Sequence, residues 1–88
     1  MNFDVNEWKG LLALDDELEP NTRMLLVQYT MFLDSQGRTS TKPKVLAGLL
    51  NMPEKEVRKR LNEAREAEWL EAIDMDGQKG YRAVVPGS

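Results

Sequence analysis

Apolar residues recur at helical spacing through most of the chain. Val5, Trp8, Leu11 and Leu12 fall on one side of a helix, because residues three and four apart stack along the same face. Asp4 and Glu7 have the spacing of a capping box, which predicts a helix start near Val5. The acids within 15–19 read as a solvated exit from it. A second helix is predicted from Asn21 or Thr22 to near Gly37, a residue suited to a helix C-terminus. Leu25, Tyr29, Phe32 and Leu33 make its main apolar face. Met24, Leu26, Val27 and Met31 widen that face beyond the usual stripe, so the helix calls for cover on more than one side. The N-terminal helix is one candidate cover and a second copy of the chain is the other.

The pattern then shortens. Residues 38–41 suit a brief strand, and Thr41 suits the cap of a following helix. Pro43 falls where the first helical turn tolerates proline. Val45, Leu46, Leu49 and Leu50 predict a helix of some nine residues, and Asn51-Met52-Pro53 is a tight break. A further helix is expected from Pro53 to Glu68, with Val57, Leu61 and Ala64 on one face and Trp69-Leu70 closing its end. Leu70–Asp74 and Tyr81–Val85 are β-prone. Asp76-Gly77 and Gly80 between them favour a hairpin loop over 75–80, and Pro86 stops the last strand. The expected fold is α+β, mostly helical with a small β-hairpin. Residues 1–20 form an acidic helical appendage, and 21–88 the main domain.

Composition narrows the chemistry. The chain has no histidine and no cysteine. That removes the commonest general base, the usual zinc ligands, thiol chemistry and disulfides. No carboxylates cluster with a nucleophile or a glycine-rich phosphate loop, so neither an enzyme nor a cofactor or metal site is expected. No apolar run approaches the length of a membrane span. The acidic start lacks the basic and apolar regions of a signal peptide, so a cytoplasmic location is expected. Over 88 residues the net charge is −3, but it is unevenly spread. Residues 1–20 hold six acids and one base, whereas 36–65 hold eight bases and three acids. A local excess of this kind governs contact with phosphate more than the total does.

The stretch from Val45 to Leu70 resembles the winged helix-turn-helix superfamily of bacterial and phage regulators. Leu46-Ala47 opens one helix, a turn follows, and Val57 and Leu61 stand four apart in the next. Ala67 then precedes the Trp69-Leu70 pair that leads into a wing. The resemblance covers roughly residues 21–85. It implies a three-helix core with an added N-terminal helix and a C-terminal wing, which binds double-stranded DNA and regulates transcription on the nucleoid. Asn51 stands where the family often has glycine, and asparagine tolerates positive φ. Pro53 replaces the usual Ser/Thr cap, and Glu54 and Glu56 occupy the first turn of the helix that reads DNA in the family.

The face opposite Val57 and Leu61 carries Lys55, Lys59, Asn62 and Glu66, with Arg58 beside them, and of these Lys55, Arg58, Lys59 and Asn62 can read bases. Lysine and arginine donate to guanine, and asparagine pairs bidentately with adenine. The resemblance makes these four the base-contacting candidates. Arg38, Lys42 and Lys44 are candidates for phosphate contact near the preceding helix, and Gln78, Lys79 and Arg82 from the wing. The pairs Glu54–Arg58, Glu56–Arg60 and Lys59–Glu63 have i,i+4 spacing, so the same charges also read as a solvated helix surface. The acidic N-terminus and the two glutamates favour an alternative, a winged helix that binds a protein partner. A module of a phage or plasmid replication initiator is a third reading. A homodimer through residues 5–14 and 22–35 is a further expectation, because one domain makes few DNA contacts.

Overall fold

A computed structural model of the chain describes residues 3–87. It is an α+β domain. Among the described residues there are four α-helices and one three-stranded antiparallel sheet. Helix α1 spans Val5–Leu14, and the Asp4 carboxylate accepts the Glu7 backbone N–H at 3.0 Å, as its spacing predicts. Helix α2 spans Pro20–Tyr29 with proline in its first turn, and continues as a 3-10 turn over Thr30–Phe32.

This second helix stops well short of Gly37. The Thr30 hydroxyl donates to the Val27 carbonyl at 2.6 Å. Asp34 then draws the N–H groups of Gln36 and Arg38 onto one carboxylate oxygen at 2.8 and 2.9 Å. Such local side-chain bonds offer the backbone an alternative to the helix. Gly37 closes the resulting turn rather than capping a helix, its N–H donating to the Asp34 carbonyl at 3.0 Å.

Strand β1 covers Arg38–Thr39. Helix α3 covers Pro43–Leu50, opened by proline as expected. Thr41 does not cap it. The capping position is Lys42, which makes no side-chain bond there, and the Thr41 hydroxyl lies 2.8 Å from that of Thr39. Asn51 takes the left-handed conformation at φ 52°, and the Met52 N–H returns to the Ala47 carbonyl at 3.1 Å. These bonds close the turn into helix α4, Glu54–Glu66. Helix α4 ends earlier than its charge pattern suggests. Glu68 adopts φ 67°, while the N–H groups of Glu68 and Trp69 bond back to Arg65 and Ala64 at 3.0 and 2.9 Å. This paired C-terminal turn directs Trp69 into the core.

Strands β2 (Leu70–Met75) and β3 (Gln78–Ala83) form the hairpin, and β1 pairs on the far side of β3. The turn is only Asp76-Gly77, with φ 54° and 87°, the two positive values that a tight hairpin turn requires. Strand β2 runs one residue beyond its β-prone stretch, whereas β3 starts before Tyr81 and ends at Ala83, short of Val85, so Pro86 is not what stops it. Gly80 therefore lies inside β3 rather than in a loop. A Cβ there would meet the Thr39 carbonyl oxygen at 2.5 Å, so glycine is what admits β1.

The four helices and strands β2 and β3 share one apolar core. Trp8, Leu12 and Leu18, from the stretch read as an appendage, cluster with Leu25, Leu26 and Tyr29 of α2, Leu46 of α3, Val57, Leu61 and Ala64 of α4, and Trp69, Leu70 and Ala83. The Trp8 indole N–H donates to the Val84 carbonyl at 2.8 Å, and its ring meets Trp69 edge-on with centroids 6.1 Å apart. Among the described residues no helix is long and apolar enough to cross a membrane. Trp8→Ala is expected to destabilise the domain by about 3–5 kcal/mol in urea unfolding. A change below about 0.5 kcal/mol, the range of a surface substitution, would show that α1 contributes nothing to the core.

Candidate nucleic-acid interface

The cations of residues 36–65 lie on elements whose inner faces are fixed by the core. In α4, Val57, Arg60, Leu61 and Ala64 are buried, while Lys55, Arg58, Lys59 and Asn62 are exposed. The outward side of α4 is therefore the one that its spacing predicts. Between the start of α3, α4 and the hairpin runs an open groove of about 810 Å³. Lys42, Arg58 and Lys79 reach it from three separate segments, with Pro43, Ile73 and Tyr81 among its apolar lining. Asp74 also lines it, and its carboxylate is engaged by the Gly77 N–H at 2.8 Å. Lys44 is exposed in the first turn of α3.

The remaining candidates are placed differently. Cross-strand partners share a face of a sheet. Lys79 pairs with Asp74, and Tyr81 with Ala72. Arg82 pairs with Glu71 on one side and Arg38 on the other. Lys79 and Arg82 are an odd number of residues apart, so they point to opposite faces. Arg82 bonds to Glu71 and lines a second, smaller groove of about 520 Å³ with Arg65 and Val85. Arg38 is paired with Asp34 at 3.2 Å. Its two backbone N–H bonds and the adjacent arginine hold the Asp34 carboxyl below its ordinary range, the Arg38 N–H being the largest cause. The ten candidates thus form no single patch. Lys42, Arg58, Gln78 and Lys79 share the groove, three more lysines stand on α3 and α4, Arg38 and Arg82 occupy the other face of the sheet, and Asn62 is held within its helix. Its amide donates to Glu66 at 3.2 Å and its carbonyl accepts from Arg65 at 2.8 Å.

Pairing divides the two cation types. All six arginines are hydrogen-bonded within the chain. Arg23 donates to the Asp15 carbonyl, Arg65 to Asn62, and Arg38, Arg58, Arg60 and Arg82 to carboxylates. Among the described residues none of the six lysines forms an ion pair. The difference is chemical. A planar guanidinium is preorganised for fixed multi-point bonds, whereas an ammonium on a flexible stem stays hydrated.

Arg60 is the residue that the charge pattern misassigns. Its pairing with Glu56 at 3.3 Å is the one that i,i+4 spacing predicts, but the side chain is buried, not solvated. It reaches across to Glu19 at 2.5 Å and also meets Glu63 at 3.5 Å. Glu63 in turn accepts the buried Thr22 hydroxyl at 2.7 Å. The acids 15–19 are accordingly a solvated exit only in part, with Asp16 and Glu17 exposed. Asp15 caps the Leu18 N–H at 2.8 Å, and Glu19 clamps α2 to α4. The signal was in the spacing, since Arg60 lies between Val57 and Ala64 on the buried side. The Arg60 hydrogen bond holds the Glu19 carboxyl below its usual value, and that bond in turn raises the guanidinium pKa.

No family model matches the chain, and neither the curated proteins nor the solved structures contain a match to it.

The Arg60 cluster yields a stability prediction. Arg60→Ala leaves three carboxylates without their common partner. The carboxylates are partly exposed, so the cost falls below the about 3–5 kcal/mol of a broken fully buried pair, at about 2 kcal/mol. In a domain of this size that is on the order of 10 °C in melting temperature. Because the folded pKa of Glu19 is lowered, its contribution is complete above its ordinary value of 4.5 and is lost as pH falls through the lower folded value. Glu19→Gln should therefore be less stable than the parent at neutral pH, with the gap closing in acid. A gap that does not change with pH would remove the ion pair as its cause.

Proposed function

We propose that the chain is a winged-helix protein that binds double-stranded DNA, with α4 in the major groove and the β2–β3 hairpin beside it as the wing. The observation that carries this reading is the groove where Lys42, Arg58 and Lys79 meet from three segments, with Lys55 and Lys59 exposed on α4. The connection α3–turn–α4 followed by a hairpin, with sheet order β1-β3-β2, agrees with the resemblance of residues 45–70. An α-helix fits the width of the B-DNA major groove. No catalytic step and no cofactor enter this proposal.

The split between arginine and lysine refines the mode of binding. Bidentate reading of guanine is chiefly the work of arginine. Here Arg58 is held by Glu54 at 2.8 Å and must exchange that partner to reach a base. The unpaired lysines act as point charges toward phosphate. Affinity should therefore be dominated by the backbone and depend steeply on salt. Positioning on the duplex then precedes sequence reading, which falls to Arg58 and Asn62 once they leave their intrahelical partners.

A second reading, a protein partner for the same face, is favoured by those intrahelical bonds, because a face already satisfied internally has less to offer a base edge.

Titration of the protein with a duplex of about two helical turns, followed by amide NMR at several salt concentrations, separates the two. Shifts are expected in α4 and at the hairpin turn. With about four lysines on phosphate, the logarithm of affinity should fall against that of salt with a slope of roughly −3 to −4. Lys59→Ala should weaken binding about five- to tenfold and reduce the slope by about one. Arg82→Ala should leave affinity within about twofold, being on the other face of the sheet. No shifts at low salt would replace DNA with a protein partner.

A further inference from the structure

Helix α2 is apolar on both sides. Its inner side, Thr22, Leu25, Leu26 and Tyr29, is buried. On the opposite side Met24, Val27 and the following Met31 stand at i, i+3 and i+7, 57%, 38% and 80% exposed. Leu11 and Leu14 of α1, the helix packed against α2, are 37% and 82% exposed. From Met24 to Leu33 the chain carries no charged side chain. Depletion of charge and enrichment of methionine mark the centre of protein interfaces.

We propose that this face is a homodimer interface, occupied by a second copy of the chain through an antiparallel two-fold pairing of α2. Two features select a second copy. The stripe is nearly palindromic about Val27, so antiparallel packing sets Met24 against Met31 of the partner subunit and brings the two valines together at the axis. This self-complementarity is what an isologous contact requires. The area also suffices. The five side chains leave on the order of 500 Å² in water per copy, so pairing that covers all five buries up to about 1,000 Å² in total before any polar rim is added. A stable interface of modest size begins near that value.

The dimer does not rest on the DNA reading. The stripe is on the side of α2 turned away from its packing against α4, so pairing leaves the outer face of α4 open.

Sedimentation velocity over concentrations up to about 1 mM gives the first test, against a monomer mass of 10.1 kDa. The expected species is twice that mass. The double substitution Met24→Glu with Met31→Glu should raise its dissociation constant about a hundredfold or more. Leu49→Ser, at an exposed leucine on α3, should leave it unchanged. A sample mixing methyl-labelled and unlabelled protein tests the contact without substitution, should the double variant fail to fold. Intermolecular NOEs from the Met24 and Met31 methyls are expected. A monomer at every concentration overturns the proposal and leaves the face to a different protein. So does a dimer whose intermolecular contacts come from Val45 and Leu49.

Discussion

The fold depends on Trp8. A domain of 88 residues has room for a single core, and in this one the largest side chain comes from the first helix. Its ring closes against Trp69 at the end of α4, and its indole N–H holds the carbonyl of Val84 just past β3. The Val84 N–H in turn donates to Trp69 at 3.1 Å. One aromatic pair and two hydrogen bonds thus join the beginning of the chain, the end of α4 and the end of the sheet. Loss of the ring would leave a large void and an unpaired carbonyl together, and the fixed angle between α4 and the hairpin would lose its anchor.

Electrostatics builds on this frame in two separate ways. Arginines are paired within the chain, mostly at its surface, and the lysines form no ion pair among the described residues. Arg60 is the extreme case, a buried cation shared among Glu19, Glu56 and Glu63 that joins the acidic loop to α4. This accounts for a puzzle in the overall charge. Among the described residues six acids are paired with four arginines, three of them with Arg60. The local excess that a polyanion would meet comes from Lys42, Lys44, Lys55, Lys59 and Lys79.

Much of this was legible in the sequence where a feature is local. Asp4 and Glu7 marked the start of α1, Pro43 the start of α3, and Asp76-Gly77 the hairpin, because each is decided within a few residues. The buried face of α4 followed from its period. What escaped were features decided by distant partners or by parity. The end of α2 depends on Asp34 competing for backbone donors, a choice that apolar spacing does not encode. Glu19 looked solvated because its partner lies forty-one residues away. Lys79 and Arg82 looked equivalent until strand alternation separated them, and the hairpin's register could be counted only once its turn was known to have two residues. The groove itself was invisible, since it is a relation between three segments.

The two proposed surfaces have consequences for each other. A face built on lysine gains from each phosphate it neutralises but discriminates little between sequences. A single copy with few such contacts would hold a duplex weakly. Pairing through the outer side of α2 would give one particle two lysine-bearing faces, and engagement of the first would make the second an intramolecular event. Selectivity could then arise from the distance between the faces as well as from bases, because only sites with matching spacing engage both. The two-sided apolar character of α2 acquires a reason on this view. Its inner side fixes α4 against the core, and its outer side determines how many copies of α4 act together.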